Sequence, residues 1–231
     1  KSRVMANQIE AVNTIAITNI EAINTITDDN LQALNTLEFT GTPADAHTLI
    51  ATETVPADES APVSSIDFES GIDGTYDVYE FILSSLHPSV DAAKLRWRSS
   101  TDGGSSYGVT TTTSFYATYH TEDDSGTPAL SYAADLDAAD SASDDIYLSD
   151  GVGFDGDQSA SGRIQLFAPS DATFTKHFIA EIQQSSDGDI CNISRSSGFI
   201  NTASAVDAIQ FSFDSGYIDR GVIKMFGYEL P

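Results

Sequence analysis

The sequence has very little cysteine and no long apolar segment. Cys191 is the only cysteine among 231 residues, so an intrachain disulfide and a multi-cysteine zinc site are both excluded. No run approaches the roughly 20 apolar residues that a membrane-spanning helix needs. No basic segment followed by an apolar stretch is present either. We therefore predict no membrane insertion and no signal peptide.

Basic residues are also scarce. The chain has 10 Lys and Arg against 35 Asp and Glu, which gives a formal net charge of −25. No Lys or Arg lies between Arg98 and Arg163. Because nucleic-acid binding depends on cationic contacts with phosphates, we predict no nucleic-acid partner. The repulsion between like charges favours solubility.

An eleven-residue repeat occupies the N-terminal region, in the segments Gln8–Ile15, Asn19–Ile26 and Asn30–Leu37. Eleven residues fit three helical turns closely, so an apolar stripe stays on one face of a helix. The stripe consists of Ile9, Val12, Ile15, Ile20, Ile23, Ile26, Leu31, Leu34 and Leu37. We predict that residues 1–40 form a helical stem that self-associates or docks on a neighbouring protein. The alternative is several shorter helices, because Thr27–Asp29 is typical of an N-cap.

The pattern changes after this repeat. Residues 41–64 contain three prolines among small polar residues and are predicted to be a linker or extended arm, with a short edge strand at Leu49–Thr52. Residues 65–231 show alternation of period two. The predicted strands there are Ser65–Glu69, Tyr76–Ser84, Lys94–Ser99, Ser114–His120, Asp145–Ser149, Gly162–Phe167, Thr175–Gln183, Cys191–Ser194, Ala205–Phe213 and Arg220–Tyr228. Such a series predicts a mainly β domain, an antiparallel β-sandwich or jelly roll.

Several segments of this domain resemble a β-sandwich domain in virion proteins of tailed bacteriophages, marine ones especially. The segments are Gly71–Phe81, Leu95–Gly104, Ser161–Pro169, Gly198–Thr202, Val206–Phe211 and Arg220–Tyr228. The resemblance covers roughly residues 48–229 and implies a non-enzymatic structural component of the particle: a tail fibre, a tail appendage or a capsid-attached fibre. It also implies location in the virion, a homo-oligomer that is often a trimer, and contacts of the N-terminal segment with other virion proteins.

Residue types that carry catalysis do not form a recognisable set. Gly104–Gly108 matches the G-x-S-x-G pattern, but that pattern serves a nucleophile only at a strand-to-helix turn. His120 precedes the acidic run Glu122–Asp124, which is typical of a solvated loop. We predict that the chain is not an enzyme and that it needs no cofactor and no metal.

Tyrosines in polar, Ser/Thr-rich stretches suggest an alternative function. Aromatic faces beside carboxylates can hold sugars, so the chain could be a carbohydrate- or receptor-binding module for host surface glycans. The candidate ligand-binding residues are Tyr107, Tyr116, Tyr119, Tyr132 and Tyr147. Tyr116 and Tyr119 have opposite parity on a predicted strand, so we expect at least one of them to point inward.

Overall fold

The computed structural model describes residues 47–57, 61–142 and 146–230. Every regular element in this part of the chain is a strand. The strands are β1 (Thr48–Val55), β2 (Ile66–Phe68), β3 (Val78–Pro88), β4 (Ala93–Ser100), β5 (Thr111–Thr121), β6 (Ala129–Tyr132), β7 (Tyr147–Val152), β8 (Ala160–Phe167), β9 (Lys176–Ser186), β10 (Ile190–Ile200), β11 (Ala208–Phe213) and β12 (Ile218–Tyr228). The stripe from Ile9 to Leu37 lies outside the described residues, so the helical stem stays a prediction.

The strands form two sheets. The larger has eight strands in the order β1-β12-β3-β8-β9-β10-β5-β6, and the smaller has four in the order β2-β11-β4-β7. All pairs of neighbouring strands are antiparallel. This confirms the prediction of a mainly β domain with antiparallel sheets, in the arrangement of a β-sandwich.

The pairing is nested along the chain. β3 pairs with β12 in the larger sheet, β4 with β11 in the smaller sheet, and β5 with β10 in the larger sheet again. The first half of the domain therefore pairs with its last half in reverse order, and successive pairs alternate between the two sheets. Residues far apart in the sequence are brought together in this way, so the fold depends on contacts of long range.

The core lies between the inner faces of the two sheets. The rings of Phe68 and Phe211 in the smaller sheet lie 5.3 and 5.4 Å from the ring of Phe81 in the larger one. Trp97 of β4 contacts Phe178 of β9 with 4.7 Å between ring centroids. These edge-to-face contacts are the favoured geometry for aromatic pairs. They place the apolar centre of the sandwich next to β3, β4, β9 and β11.

Nearly all strand ends lie within four residues of their predicted positions, and the differences at β1, β6 and β10 affect the larger sheet. The edge strand predicted at Leu49–Thr52 is confirmed and is longer, since Thr48–Val55 pairs with β12. The segment predicted as a linker or extended arm thus contributes a strand to the larger sheet. β6 was not predicted, because all four of its residues are exposed and show no alternation of burial. β10 spans Ile190–Ile200, whereas only Cys191–Ser194 was predicted.

Candidate functional site

The inner face of the larger sheet becomes polar toward one end of β9 and β10. Gln184 and Ser186 of β9 and Asn192, Ser194 and Ser196 of β10 all point inward and are buried. Their alternation places them on the same face as the apolar core. The register sets Gln184 directly opposite Asn192. Of the three patch residues on β10, Ser196 alone lies in the part of the strand that the sequence pattern did not predict.

Few hydrogen bonds within the protein satisfy this polar patch. The Ser194 hydroxyl donates to Oε1 of Gln184 at 3.2 Å and accepts from the backbone N–H of Asp150 at 3.3 Å. The atoms without a partner among the described residues are Gln184 Nε2, Ser186 Oγ, Asn192 Oδ1 and Ser196 Oγ. A buried polar atom without a partner costs about 1–3 kcal/mol. Apolar side chains at these positions would therefore pack more favourably.

A cleft with a volume of about 470 Å³ opens beside this patch. Asn192 and Ser186 form part of its wall, Tyr119 of β5 lines it on the same sheet, and Lys94 and Asp150 line it from the smaller sheet. Strands near the edge of both sheets thus contribute side chains to one opening. Its volume falls within the roughly 300–1,000 Å³ typical of small-molecule sites.

The charge of the cleft is neutral to acidic. Asp150 and Asp187 line it together with Lys94, the one basic residue of its wall. The Lys94 ammonium lies 3.9 Å from the carboxylate of Asp214 and 5.9 Å from the centre of the Tyr147 ring. Because Asp214 already compensates this ammonium, the cleft offers no surplus of positive charge to an anion.

The five candidate tyrosines do not form one site. Tyr119 lines the cleft. Tyr116 and Tyr132 lie opposite each other on the outer face of the larger sheet, where the Tyr132 hydroxyl donates to the Asp137 carboxylate. Tyr116 is exposed and Tyr119 is half-buried, so the expectation from their parity is confirmed.

The remaining two tyrosines lie elsewhere. Tyr147 is on β7 beneath Lys94. Tyr107 lines a cavity of about 10 Å³ together with Trp97 and Ser99, enough for about one water molecule. Burial and the nearby carboxylates of Asp67 and Glu69 raise the pKa of the Tyr107 hydroxyl to about 12. Tyr107 therefore belongs to the packing of the sandwich.

Ser106 and His87 are of residue types that often serve in catalysis, and both have structural partners. The Ser106 hydroxyl, the third residue of the G-x-S-x-G pattern, donates to the Asp102 carboxylate at 2.6 Å. This contact is the main reason why the pKa of Asp102 is lowered. The His87 ring contacts the Asp219 carboxylate at 2.7 Å and the backbone oxygen of Asp155 at 3.0 Å. Both ring nitrogens of His87 are therefore held by acceptors of the protein.

No protein-family model matches the chain, and neither the curated proteins nor the solved structures include one that is significantly similar to it. Within residues 47–57, 61–142 and 146–230, no three His, Cys, Asp or Glu side chains form a group that could hold a metal ion. The same residues contain no helix long and apolar enough to cross a membrane. A function for the cleft is therefore inferred from its own geometry.

Proposed function

We propose that the chain is a non-enzymatic structural component of a phage particle, located in the virion as part of a tail fibre, tail appendage or capsid-attached fibre. The observation that carries the proposal is the order of its parts: an eleven-residue apolar repeat precedes an antiparallel β-sandwich. The repeat attaches the chain to other virion proteins or joins three copies. The sandwich is the part displayed to the outside.

The winding of the sandwich supports this role. The nested pairs β3–β12, β4–β11 and β5–β10 alternate between the sheets, as expected when a long hairpin is rolled up into a jelly roll. Jelly rolls are common in viral capsid proteins and in lectins. This likeness concerns architecture alone, and the experiment below tests the oligomer that the proposed role requires.

The outer face of the larger sheet supports contact with other chains. Leu130, Ile179 and Ile193 are exposed by 68%, 53% and 39% on β6, β9 and β10. Beside them, Tyr116 lies opposite Arg195, whose guanidinium is ion-paired with Glu181. Exposed apolar side chains grouped on one face are typical of interaction surfaces. A homotrimer could use this face in addition to the repeat.

Light scattering of the full chain and of a chain that begins at Pro43 tests the proposed role of the repeat in self-association. The shorter chain keeps β1, so the sandwich is complete. We expect a trimer that becomes a monomer when residues 1–42 are removed. In the full chain, Ile23→Asp should also dissociate the trimer because it places a charge in the apolar stripe. The matched control Asn24→Asp adds the same charge outside the stripe and should leave the mass unchanged.

The other outcomes of this experiment are equally informative. Trimers of both chains would place the symmetry in the sandwich and leave residues 1–40 as a segment that docks on another virion protein. Monomers of both chains would contradict the role of the repeat in self-association. An unchanged trimer in Ile23→Asp would contradict the predicted stripe.

A second candidate function is a carbohydrate- or receptor-binding module for a host surface glycan. The cleft favours it, because Tyr119 and several polar side chains line an opening of suitable volume. The two functions are compatible, since a displayed sandwich can both build a fibre and contact a host.

A further inference from the structure

We propose that the outer face of the larger sheet binds a linear anionic glycan whose charges are widely spaced. This inference rests on the second proposed function and gives it a surface and a ligand class. The binding surface is one row of side chains that crosses the sheet. Its members, starting from the β6 edge, are Tyr132, Tyr116, Arg195, Glu181, Arg163 and Lys224. This cation row contains three basic residues and one acidic residue.

The register of the strands creates the cation row. Each member lies directly opposite the next one on the neighbouring strand, except that Ile82 of β3 lies between Arg163 and Lys224. Along β5, β8, β9 and β12 these residues alternate with buried core residues, so they point away from the core. Neighbouring strands are about 4.8 Å apart, so the row from Tyr132 to Lys224 is about 29 Å long. A surface of this shape fits an extended chain rather than a single sugar.

The protein compensates the charges of the cation row only in part. Arg195 forms an ion pair with Glu181, and 51% of its side chain stays exposed. Arg163 and Lys224 are exposed, and neither forms an ion pair within residues 47–57, 61–142 and 146–230. The row therefore reverses the sign of the charge locally on a chain whose formal net charge is −25. An anionic ligand is attracted to this row and repelled by most of the remaining surface.

The spacing of the cations restricts the charge density of the ligand. Two strand spacings separate Arg195 from Arg163 and Arg163 from Lys224, which is about 10 Å in each case. Duplex DNA carries one charge per about 1.7 Å of its axis, and an extended acidic peptide one per about 3.4 Å. Either polymer would bring several charges for each cation, and the acidic chain would repel the surplus. Acidic sugars separated by neutral ones avoid this repulsion.

Two exposed aromatic rings at one end of the cation row favour a glycan. Tyr116 and Tyr132 are 39% and 58% exposed and lie opposite each other. The Tyr132 hydroxyl donates to the Asp137 carboxylate, which positions the ring and leaves it exposed. Aromatic faces pack against the C–H groups of sugar rings, and the neighbouring Arg195 donates hydrogen bonds to carboxylates and hydroxyls. The row thus places groups that bind sugar rings beside groups that bind carboxylates.

Isothermal titration calorimetry of the full chain at low and at high salt tests the proposal. The acidic probes are decasaccharides of hyaluronan and of unsulfated chondroitin, which carry a carboxylate on every second sugar. Maltoheptaose and laminariheptaose are the neutral probes, and oligothymidylate and poly-glutamate are the densely charged probes. We expect at least one acidic decasaccharide to bind at least tenfold more tightly at low salt than the neutral and the densely charged probes. Its affinity should fall at high salt, because salt screens exposed charges.

Single substitutions locate the binding surface. Arg163→Gln and Lys224→Gln should each weaken binding of the acidic decasaccharide about three- to fivefold at low salt, as expected for the loss of one exposed ion pair. The control Arg96→Gln removes a cation from the outer face of the smaller sheet and should leave the affinity unchanged. Tyr132→Ala should weaken binding at low and at high salt, because packing against a ring is not screened. Arg163→Gln and Lys224→Gln should unfold at the urea concentration of the natural chain, since neither cation is ion-paired.

The opposite results would overturn the proposal in distinguishable ways. Unchanged binding in both Arg163→Gln and Lys224→Gln would place the glycan elsewhere and leave the second proposed function intact. Equal affinity for the neutral probes would contradict the ligand class alone. Tighter binding of oligothymidylate or poly-glutamate would replace the glycan by a different polyanion. No binding to any glycan would contradict this inference and the second proposed function together, whereas the mass of the trimer is measured separately.

Discussion

A buried lysine gives the most direct test of how the sandwich holds its loops. Lys176 begins β9 and is 0% exposed. Its ammonium donates hydrogen bonds to the backbone carbonyls of Asp171, Phe174 at 2.8 Å and Thr202 at 3.1 Å. Burial lowers the pKa of this ammonium, and the charge of Asp171 opposes the effect. Lys176 therefore connects the loop before β9 with the segment after β10.

Lys176→Met tests the strength of this connection. The change keeps an unbranched side chain, one heavy atom shorter, but leaves three carbonyl oxygens without their donor, at about 1–3 kcal/mol for each one that water cannot reach. It also removes the cost of burying an ammonium, which is several kcal/mol. The two effects oppose each other. We expect the loss of the hydrogen bonds to outweigh the removed cost of burial, because the three carbonyl oxygens accept one hydrogen bond from each of the three ammonium protons. We expect the free energy of unfolding to fall by about 2 kcal/mol.

Urea unfolding followed by tryptophan fluorescence measures this change. Trp97 is the only tryptophan and is 2% exposed against Phe178, so its emission reports the opening of the core. All chains are compared at one protein concentration. The control Lys224→Met removes an exposed ammonium from the outer face of the larger sheet and should change the free energy by less than about 0.5 kcal/mol. A Lys176→Met chain as stable as the natural one would refute the reasoning.

Three further predictions concern backbone space, pH and the first strand. Gly198→Ala would place a Cβ 2.0 Å from a backbone oxygen of β5 and should lower the urea midpoint strongly. The control Gly156→Ala places a Cβ with no other atom within 4 Å and should leave the midpoint unchanged. Equal midpoints of the two variants would contradict this prediction. The raised pKa of Tyr107 means that the folded chain holds this proton more tightly than the unfolded one, so stability should fall as pH rises from 10 to about 12. Tyr107→Phe should reduce that fall, and unchanged midpoints at pH 9 and 11 would contradict the prediction. A chain beginning at Ser65 lacks β1 and exposes the edge of β12, so it should unfold at lower urea or aggregate, unlike a chain beginning at Pro43.

The apolar pattern of the sequence was sufficient to locate most strands. Ile164 and Leu166 in β8 and Ile209 and Phe211 in β11 alternate with polar residues, and these four side chains are buried in the core. The pairing of the strands could not be predicted, because nested partners such as β3 and β12 are more than a hundred residues apart and share no local signal. β6 was missed for a different reason: an exposed edge strand has no buried face to show a period.

The candidate cleft was missed for a physical reason that also bears on its function. Sequence analysis treats an inward strand position as apolar, whereas Asn192, Ser194 and Ser196 are polar at three successive inward positions of β10. Local propensity and core packing disagree there, although they agree over most of the sandwich. Conflicts of this kind lower stability and are expected at functional sites. Asn192, the inward polar residue of β10 that lines the cleft, lies in the part of the strand that was predicted, and Ser196 lies in the part that was missed.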